Sequence, residues 1–176
     1  MNVKDIVYSF ACLSFAVVIG AAVYEHRAVV PQWSVALPAS LSMFHGKYGL
    51  DAGAFWKVIH PVTLLLFILA LSLSWKTTRR KNILVTLIGY VSILAITAIY
   101  FVPELMALTG TPFSETMDPS LTQRAQLWEL LSQIRLAILV VLSIILFLGL
   151  TKAADKVSTP KTNQKAKAVQ PQQVGV

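Results

Sequence analysis

Four apolar runs, residues 6–24, 54–75, 83–102 and 130–151, limit the folds open to this chain more than any other feature. About 20 predominantly apolar residues make a helix that crosses the ~30 Å hydrocarbon core of a bilayer. The runs predict an all-α membrane protein, an antiparallel four-helix transmembrane bundle in residues 1–155 with a long first external loop. Composition agrees: 56% of the chain is hydrophobic and 13% charged, where a soluble domain carries about a quarter charged.

The net charge of +7 raises the thought of nucleic acid, but the positions of the charges argue against it. Lys76, Arg79, Arg80 and Lys81 fill one short loop, and Lys152, Lys156, Lys161, Lys165 and Lys167 follow the last run. Basic residues beside membrane spans set orientation and meet anionic headgroups. With the N-terminus inside, Lys4 joins these nine to give 10 cytoplasmic cations, against 4 outside (Arg27, Lys47, Lys57 and Arg124). Both termini are therefore expected in the cytoplasm, the membrane being a bacterial inner (plasma) membrane. The first run is too long for the apolar part of a signal peptide and its start is barely basic, so a retained span is expected. Cys12 is the only cysteine. It can form no intrachain disulfide or thiolate cluster and reads as a small buried hydrophobe.

The first loop, 25–53, is too long for a passive strap and holds Trp33, Phe44, His45 and Tyr48. A short helix over 40–45, stopped by Gly46, would lay Leu41 and Phe44 on the membrane interface or bundle mouth. Asp51 is expected to cap the second span. Pro103 and Gly110-Thr111-Pro112 are expected to interrupt the chain after span three, and Asp118-Pro119 to open a fourth helix about 50 Å long. Residues 156–176, polar and rich in Lys, Gln and Pro, read as a disordered basic cytoplasmic tail. P-loop, Rossmann and HExxH patterns are absent, and no GxxxG lies within an apolar run.

Helical spacing sorts the polar residues into stripes: Thr86, Tyr90, Thr97, Tyr100 and Glu104 on span three, Trp56, His60 and Thr63 on span two, and Arg124, Trp128, Ser132 and Arg135 on span four. Span one ends in Tyr24-Glu25-His26. Polar faces are expensive in lipid, so the stripes should face one another. In an up-down bundle His26, His45, His60, Glu25, Glu104 and Arg135 all fall in the external half. Arg135 lies roughly 8 Å inside its span and needs a partner, with Glu104, Glu129 and Glu25 as candidates. Plainer roles exist for each residue: Trp33, Trp56 and Trp128 as interface aromatics, Glu25-His26-Arg27 as a solvated helix end, and Arg135 in a structural ion pair.

Two chemistries suit this collection. His26, His45 and His60 with Glu25 and Glu104 are a sufficient donor set for a copper, zinc or iron ion, and His26 with His60 for the axial ligands of a haem. Without metal, His60 or His26 would act as acid/base, Tyr100 as hydrogen-bond donor and Arg135 as anion stabiliser, with Glu104 beside them, for a lipophilic substrate.

The Tyr24-Glu25-His26-Arg27 helix end and the Phe55-Trp56…His60-Pro61 start of span two resemble the small four-span membrane proteins grouped with fungal anthrone oxygenases. The likeness covers most of residues 5–151 in size, span order and the long loop after span one. It implies an oxygenase or related redox activity on a hydrophobic ring compound. The leading expectation is a small integral-membrane oxidoreductase acting on a lipophilic small molecule. The alternative is a non-enzymatic subunit that docks a membrane partner, or a second copy of itself, through the aromatic loop. A transporter is the weakest option, because four spans without broken helices make a poor alternating-access machine.

Overall fold

The computed structural model describes residues 2–152. They form four helices long and apolar enough to cross a membrane: α1 (Val3–Ser34), α2 (Ala52–Ser74), α3 (Arg80–Thr109) and α4 (Pro119–Leu148). The sequence expectation of a tail at 156–176 lies outside the described residues. Caps sit where short polar side chains precede the helices. Asn2 accepts from Lys4 N, Asp51 from Ala54 N, and Asp118 from Ser120 N and Leu121 N, with Pro119 at the first position of α4. Each replaces a partner that the first helical N–H groups lack.

Two helices run further than their apolar runs suggested, each through one π-turn. In α1 the turn is Glu25–Val29, closed by Val30 N donating to Glu25 O. In α3 it is Thr97–Phe101, closed by Val102 N donating to Thr97 O. Glu25-His26-Arg27 is therefore mid-helix, not the solvated end that was expected. Pro103 does not interrupt α3. It directly follows the π-turn, at the first turn of the segment Val102–Thr109, where a proline's missing N–H is tolerated.

The helices pack in a ring, α1 on α2, α2 on α3, α3 on α4 and α4 on α1. Side-chain bonds pair Asn82 with Ile145, Thr86 with Leu142, Arg135 with Thr97, and Arg124 with Glu104, so contacts climb α3 as they descend α4. Gly89 permits close approach here, since a Cβ would sit 2.8 Å from both methyls of Leu142. The ring encloses a core centred on Phe15, Phe67 and Tyr90, whose rings meet edge-on at 5.1–5.8 Å between centroids. Outward faces are also apolar, with Leu13, Leu65, Ile88, Ile99 and Ile144 all more than half exposed. A soluble monomer does not display apolar surface on every helix; lipid accepts it.

A second core caps one end of this ring. Val30 and Trp33 from α1, Leu37 and Leu41 from the following loop, Phe101 and Leu108 from α3, and Ala125 and Trp128 from α4 form it. Leu37 N donates to Thr122 Oγ1, and Asp118 N to Leu37 O at 2.7 Å, which stitches the loop to the start of α4. The expected helix at 40–45 is a 3-10 turn, Ala39–Phe44. Leu41 is fully buried, not laid on a membrane interface. Trp33 and Trp128 are likewise 2% and 5% exposed, too enclosed to be interface aromatics. Burying a tryptophan removes about 150–250 Å² from water, roughly 4–6 kcal/mol of gross hydrophobic gain, which explains why the loop folds back on the helices.

Candidate functional site

A chain of polar contacts runs between the two cores. Trp56 Nε1 donates to Glu25 Oε1 at 2.8 Å, joining α2 to the π-turn of α1. One turn on, His60 stacks on Trp56, with ring centroids 5.1 Å apart and planes 21° from parallel. This follows from the i, i+4 spacing of the two residues on α2. His60 Nδ1 then hydrogen-bonds Tyr90 Oη of α3 at 2.6 Å. The phenol donates when Nδ1 is the bare nitrogen, leaving the ring proton on Nε2. The buried Thr63 hydroxyl lies beside the same phenol but at a geometry that makes no hydrogen bond.

Arg135, on α4, lies near enough to Glu25 and His60 for its charge to act on both. Among the described residues no ion pair at contact distance holds it. Its Nη1 donates to Thr97 Oγ1 at 3.0 Å, its Nη2 to Ser132 Oγ at 2.8 Å, and its guanidinium lies 4.2 Å over the Phe101 ring. All three partners are neutral. A guanidinium has five N–H donors, so several remain for a ligand. The expected pairing of Arg135 with Glu104 or Glu129 is corrected. Glu104 takes Arg124, with Nε and Nη2 each 3.0 Å from one carboxylate oxygen, and Glu129 accepts from Ser34 Oγ at 2.9 Å. The reason is register: Arg124 and Arg135 share a face of α4, but 11 residues at 1.5 Å put Arg135 roughly 16 Å below the level of Glu104.

Tyr100 is also displaced from its expected place. An uninterrupted α-helix would carry the inward stripe from Thr97 to Tyr100. The π-turn at Thr97–Phe101 holds one extra residue and advances the stripe to Phe101, 6% exposed, leaving Tyr100 37% exposed on the outside. Tyr90, ten residues earlier on the same stripe, supplies the phenol instead.

His26 is buried beside this chain. Its Nδ1 donates to Ala22 O at 2.8 Å, since a carbonyl only accepts. That places a proton on Nδ1, and Nε2 is enclosed without a hydrogen-bond partner among the described residues. No hydrogen bond or ring contact joins it to His60. His45 is exposed in the loop after the 3-10 turn. Among the described residues no three His, Cys, Asp or Glu side chains come together as a metal-binding group. The set His26, His45, His60, Glu25 and Glu104 is thus dispersed: Glu25 is bonded to Trp56, Glu104 to Arg124, and the histidines lie in three settings.

What the structure does assemble is Glu25, Trp56, His60, Tyr90, Thr97, Ser132 and Arg135. The outer half of α3 packs on α4 more than on α2, and His60 and Arg135 of this group are half-buried. Two open, shallow clefts, about 560 and 440 Å³, lie elsewhere, among basic loop residues at the other end of the helices. The His60 group is a lateral polar seam, not a vault. No protein-family model, curated protein or solved structure matches the chain.

Proposed function

We propose that this integral membrane protein is an antiparallel four-helix bundle with both termini on the cytoplasmic side of a bacterial inner membrane. We further propose that it acts, as a small oxygenase-like oxidoreductase, on a lipophilic small molecule carrying a weakly acidic ring hydroxyl. The basic residues Lys76, Arg79, Arg80, Lys81 and Lys152 gather at one end of the helices, which supports the orientation. Reporter fusions at Lys81 and Lys156 should read cytoplasmic and one at Gly46 external.

One observation carries the chemistry: Arg135, a cation at membrane depth, spends its hydrogen bonds on neutral partners and lies near enough to Glu25 and to the Tyr90-bonded His60 for its charge to act on both. A structural arginine at that depth would be matched by a carboxylate. An arginine with spare donors in a half-open seam is suited to an oxyanion that arrives with the substrate. In this reading the ring compound enters sideways from the lipid between α2 and α3. His60 takes the hydroxyl proton, Tyr90 holds the imidazole in position, and Arg135 stabilises the resulting anion. The anion is the electron-rich form. When dioxygen adds at a ring carbon, a C–O bond forms, dioxygen accepts two electrons, and the proton on His60 completes a hydroperoxide.

The docking alternative has less to work with, because Trp33, Leu37 and Leu41 of the loop are already buried in the second core. The test is to titrate protein in lipid nanodiscs with lipophilic hydroxyaromatics, following the phenol-to-phenolate absorbance change and oxygen uptake. Wild type should bind a compound as its anion, and His60→Asn or Arg135→Gln should remove that signal while folding survives. Variants equal to wild type would overturn the reading.

A further inference from the structure

The basic end of the helices holds a second feature, which the His60 seam does not use. Residues 75–82 join α2 to α3, and residues 149–152 follow α4. Arg79, 6% exposed, binds these segments together. It pairs with Asp5 at 2.5 Å, donates from Nε to Lys152 O at 2.8 Å, and lies 5.5 Å over the Tyr8 ring. Asn82 adds a second tie, donating to Ile145 O and accepting from Lys152 Nζ, both at 2.6 Å. These bonds fix the frame around two adjoining clefts. Thr77, Thr78, Arg80, Lys81 and Lys152 line one, of about 560 Å³. Trp75, Lys76, Thr77 and Arg80 line the other, of about 440 Å³.

Four cations thus share two hollows with Arg80 and Thr77 between them. Among the described residues no Asp or Glu lines either cleft, and the nearby Asp5 carboxylate is engaged by Arg79. Arg80 is held 5.1 Å over the Trp75 ring, which orients its guanidinium. Clustered like charges at a membrane boundary call for an anion. The surroundings indicate a lipid, because exposed apolar side chains on α2 and α3 (Leu69, Leu73, Val85 and Ile88) border the same end, and Trp75 is an aromatic of the kind found at headgroup level.

We propose that the paired clefts bind one anionic phospholipid with two phosphodiester groups, one phosphate in each cleft and Arg80 bridging them, its acyl chains lying along α2 and α3. This depends on the helices lying in a bilayer but not on the enzymatic reading of the His60 seam, so either can fail without the other. The experiment is native mass spectrometry of the full chain in detergent, titrated with diphosphatidylglycerol and with phosphatidylglycerol at equal total phosphate. Wild type should hold a single diphosphatidylglycerol at least about tenfold more tightly than phosphatidylglycerol. Arg80→Gln should weaken it roughly fivefold or more, the effect of one basic contact near a membrane surface. Lys76→Gln/Lys81→Gln, which removes one cation from each cleft and spares Arg80, should erase the preference. The lysines beyond Lys152 stay in place throughout, so the loss reports on the clefts. Unchanged melting temperatures are expected, because Lys76 and Lys81 are exposed and Arg80 is partly so. Equal affinity for the two lipids, unaltered binding in the variants, or complete displacement by millimolar inorganic phosphate would each overturn the proposal. The last outcome would identify a soluble anion as the ligand.

Discussion

Replacing Arg135 by methionine separates a residue kept for a ligand from one kept for the fold. The variant loses two hydrogen bonds from a charged donor, to Thr97 Oγ1 and Ser132 Oγ, each worth about 1.5–3 kcal/mol. It also loses a cation–π contact with Phe101 of about 0.5–1 kcal/mol. Against that stands relief from holding a guanidinium at membrane depth, about 2.5–3.5 kcal/mol. Thr97 is not stranded, since its hydroxyl already donates to Ile93 O at 2.7 Å, and methionine can keep the packing on Phe101. The net expectation is a destabilisation between about 0 and 4.5 kcal/mol, centred at about 2, where breaking a buried ion pair costs about 3–5 kcal/mol. Denaturant unfolding in bicelles measures it, and a double-mutant cycle sharpens it: Arg135→Met with Glu25→Gln, the carboxylate whose charge reaches Arg135, should couple by less than about 1 kcal/mol. Turnover, by contrast, should fall about 10²–10³-fold, the loss seen when an oxyanion donor is removed. A loss above about 5 kcal/mol with strong coupling to Glu25 would refute the reasoning and return Arg135 to a structural ion pair.

Other outcomes follow from the same contacts. Trp128→Phe removes the 2.9 Å bond from Nε1 to Phe101 O and shrinks a buried ring. It should cost about 2–4 kcal/mol and speed hydrogen exchange across residues 37–44, and protection equal to wild type would contradict the second core. In Gly149→Ala the new Cβ would overlap Tyr8 Oη and push it off Leu146 O, where it now donates at 2.6 Å. A loss of about 1–3 kcal/mol is expected, partly recovered by adding Tyr8→Phe. The Asp118 carboxyl is held below its ordinary value by the Ser120 hydroxyl first, then by the Ser120 and Leu121 backbone N–H groups. Its capping contribution is therefore complete above the unfolded pKa of about 3.9 and lost as pH falls through the lower folded value. Exchange at residues 120–122 should rise in that window in wild type but not in Asp118→Asn.

The sequence made the spans, the caps at Asp51 and Asp118, and the polar stripes legible, because apolar run length and helical spacing are local properties. Trp56 with His60, and Ser132 with Arg135, stood on those stripes and make contact as two separate pairs. What was not legible depends on events between elements. Nothing in the residues Thr97–Phe101 marks a π-turn, yet that one extra residue moves Tyr100 outward and Phe101 inward. The partner of Arg124 rather than Arg135 being Glu104 is a matter of register between α3 and α4, which neither helix encodes alone. Trp33 and Trp128 looked like interface aromatics because composition cannot tell a tryptophan at a membrane surface from one inside a lobe built above it. Tyr90 stands on the same stripe as Tyr100, and nothing local marks its phenol as the one that meets His60.

The two π-turns belong in the account of the site because of where they fall. One carries Glu25 and His26 and the other carries Thr97 and Phe101, the residues that meet Trp56 and Arg135. Both lie where the transmembrane core gives way to the second core, so each helix must satisfy two packings whose faces do not share one α-helical phase. An inserted residue is the least disruptive way to change phase without ending the helix. That change of phase slides Phe101 beneath the Arg135 guanidinium, while Thr97, at the start of its turn, keeps its place on the stripe. In α1 the turn begins at Glu25, bonded to Trp56, and holds His26, whose Nε2 is enclosed without a hydrogen-bond partner among the described residues. A helix optimised only for stability would keep one phase and one core. Here the lobe of Trp33, Leu41 and Trp128 holds both turns in place from above, and the polar seam occupies the join it creates.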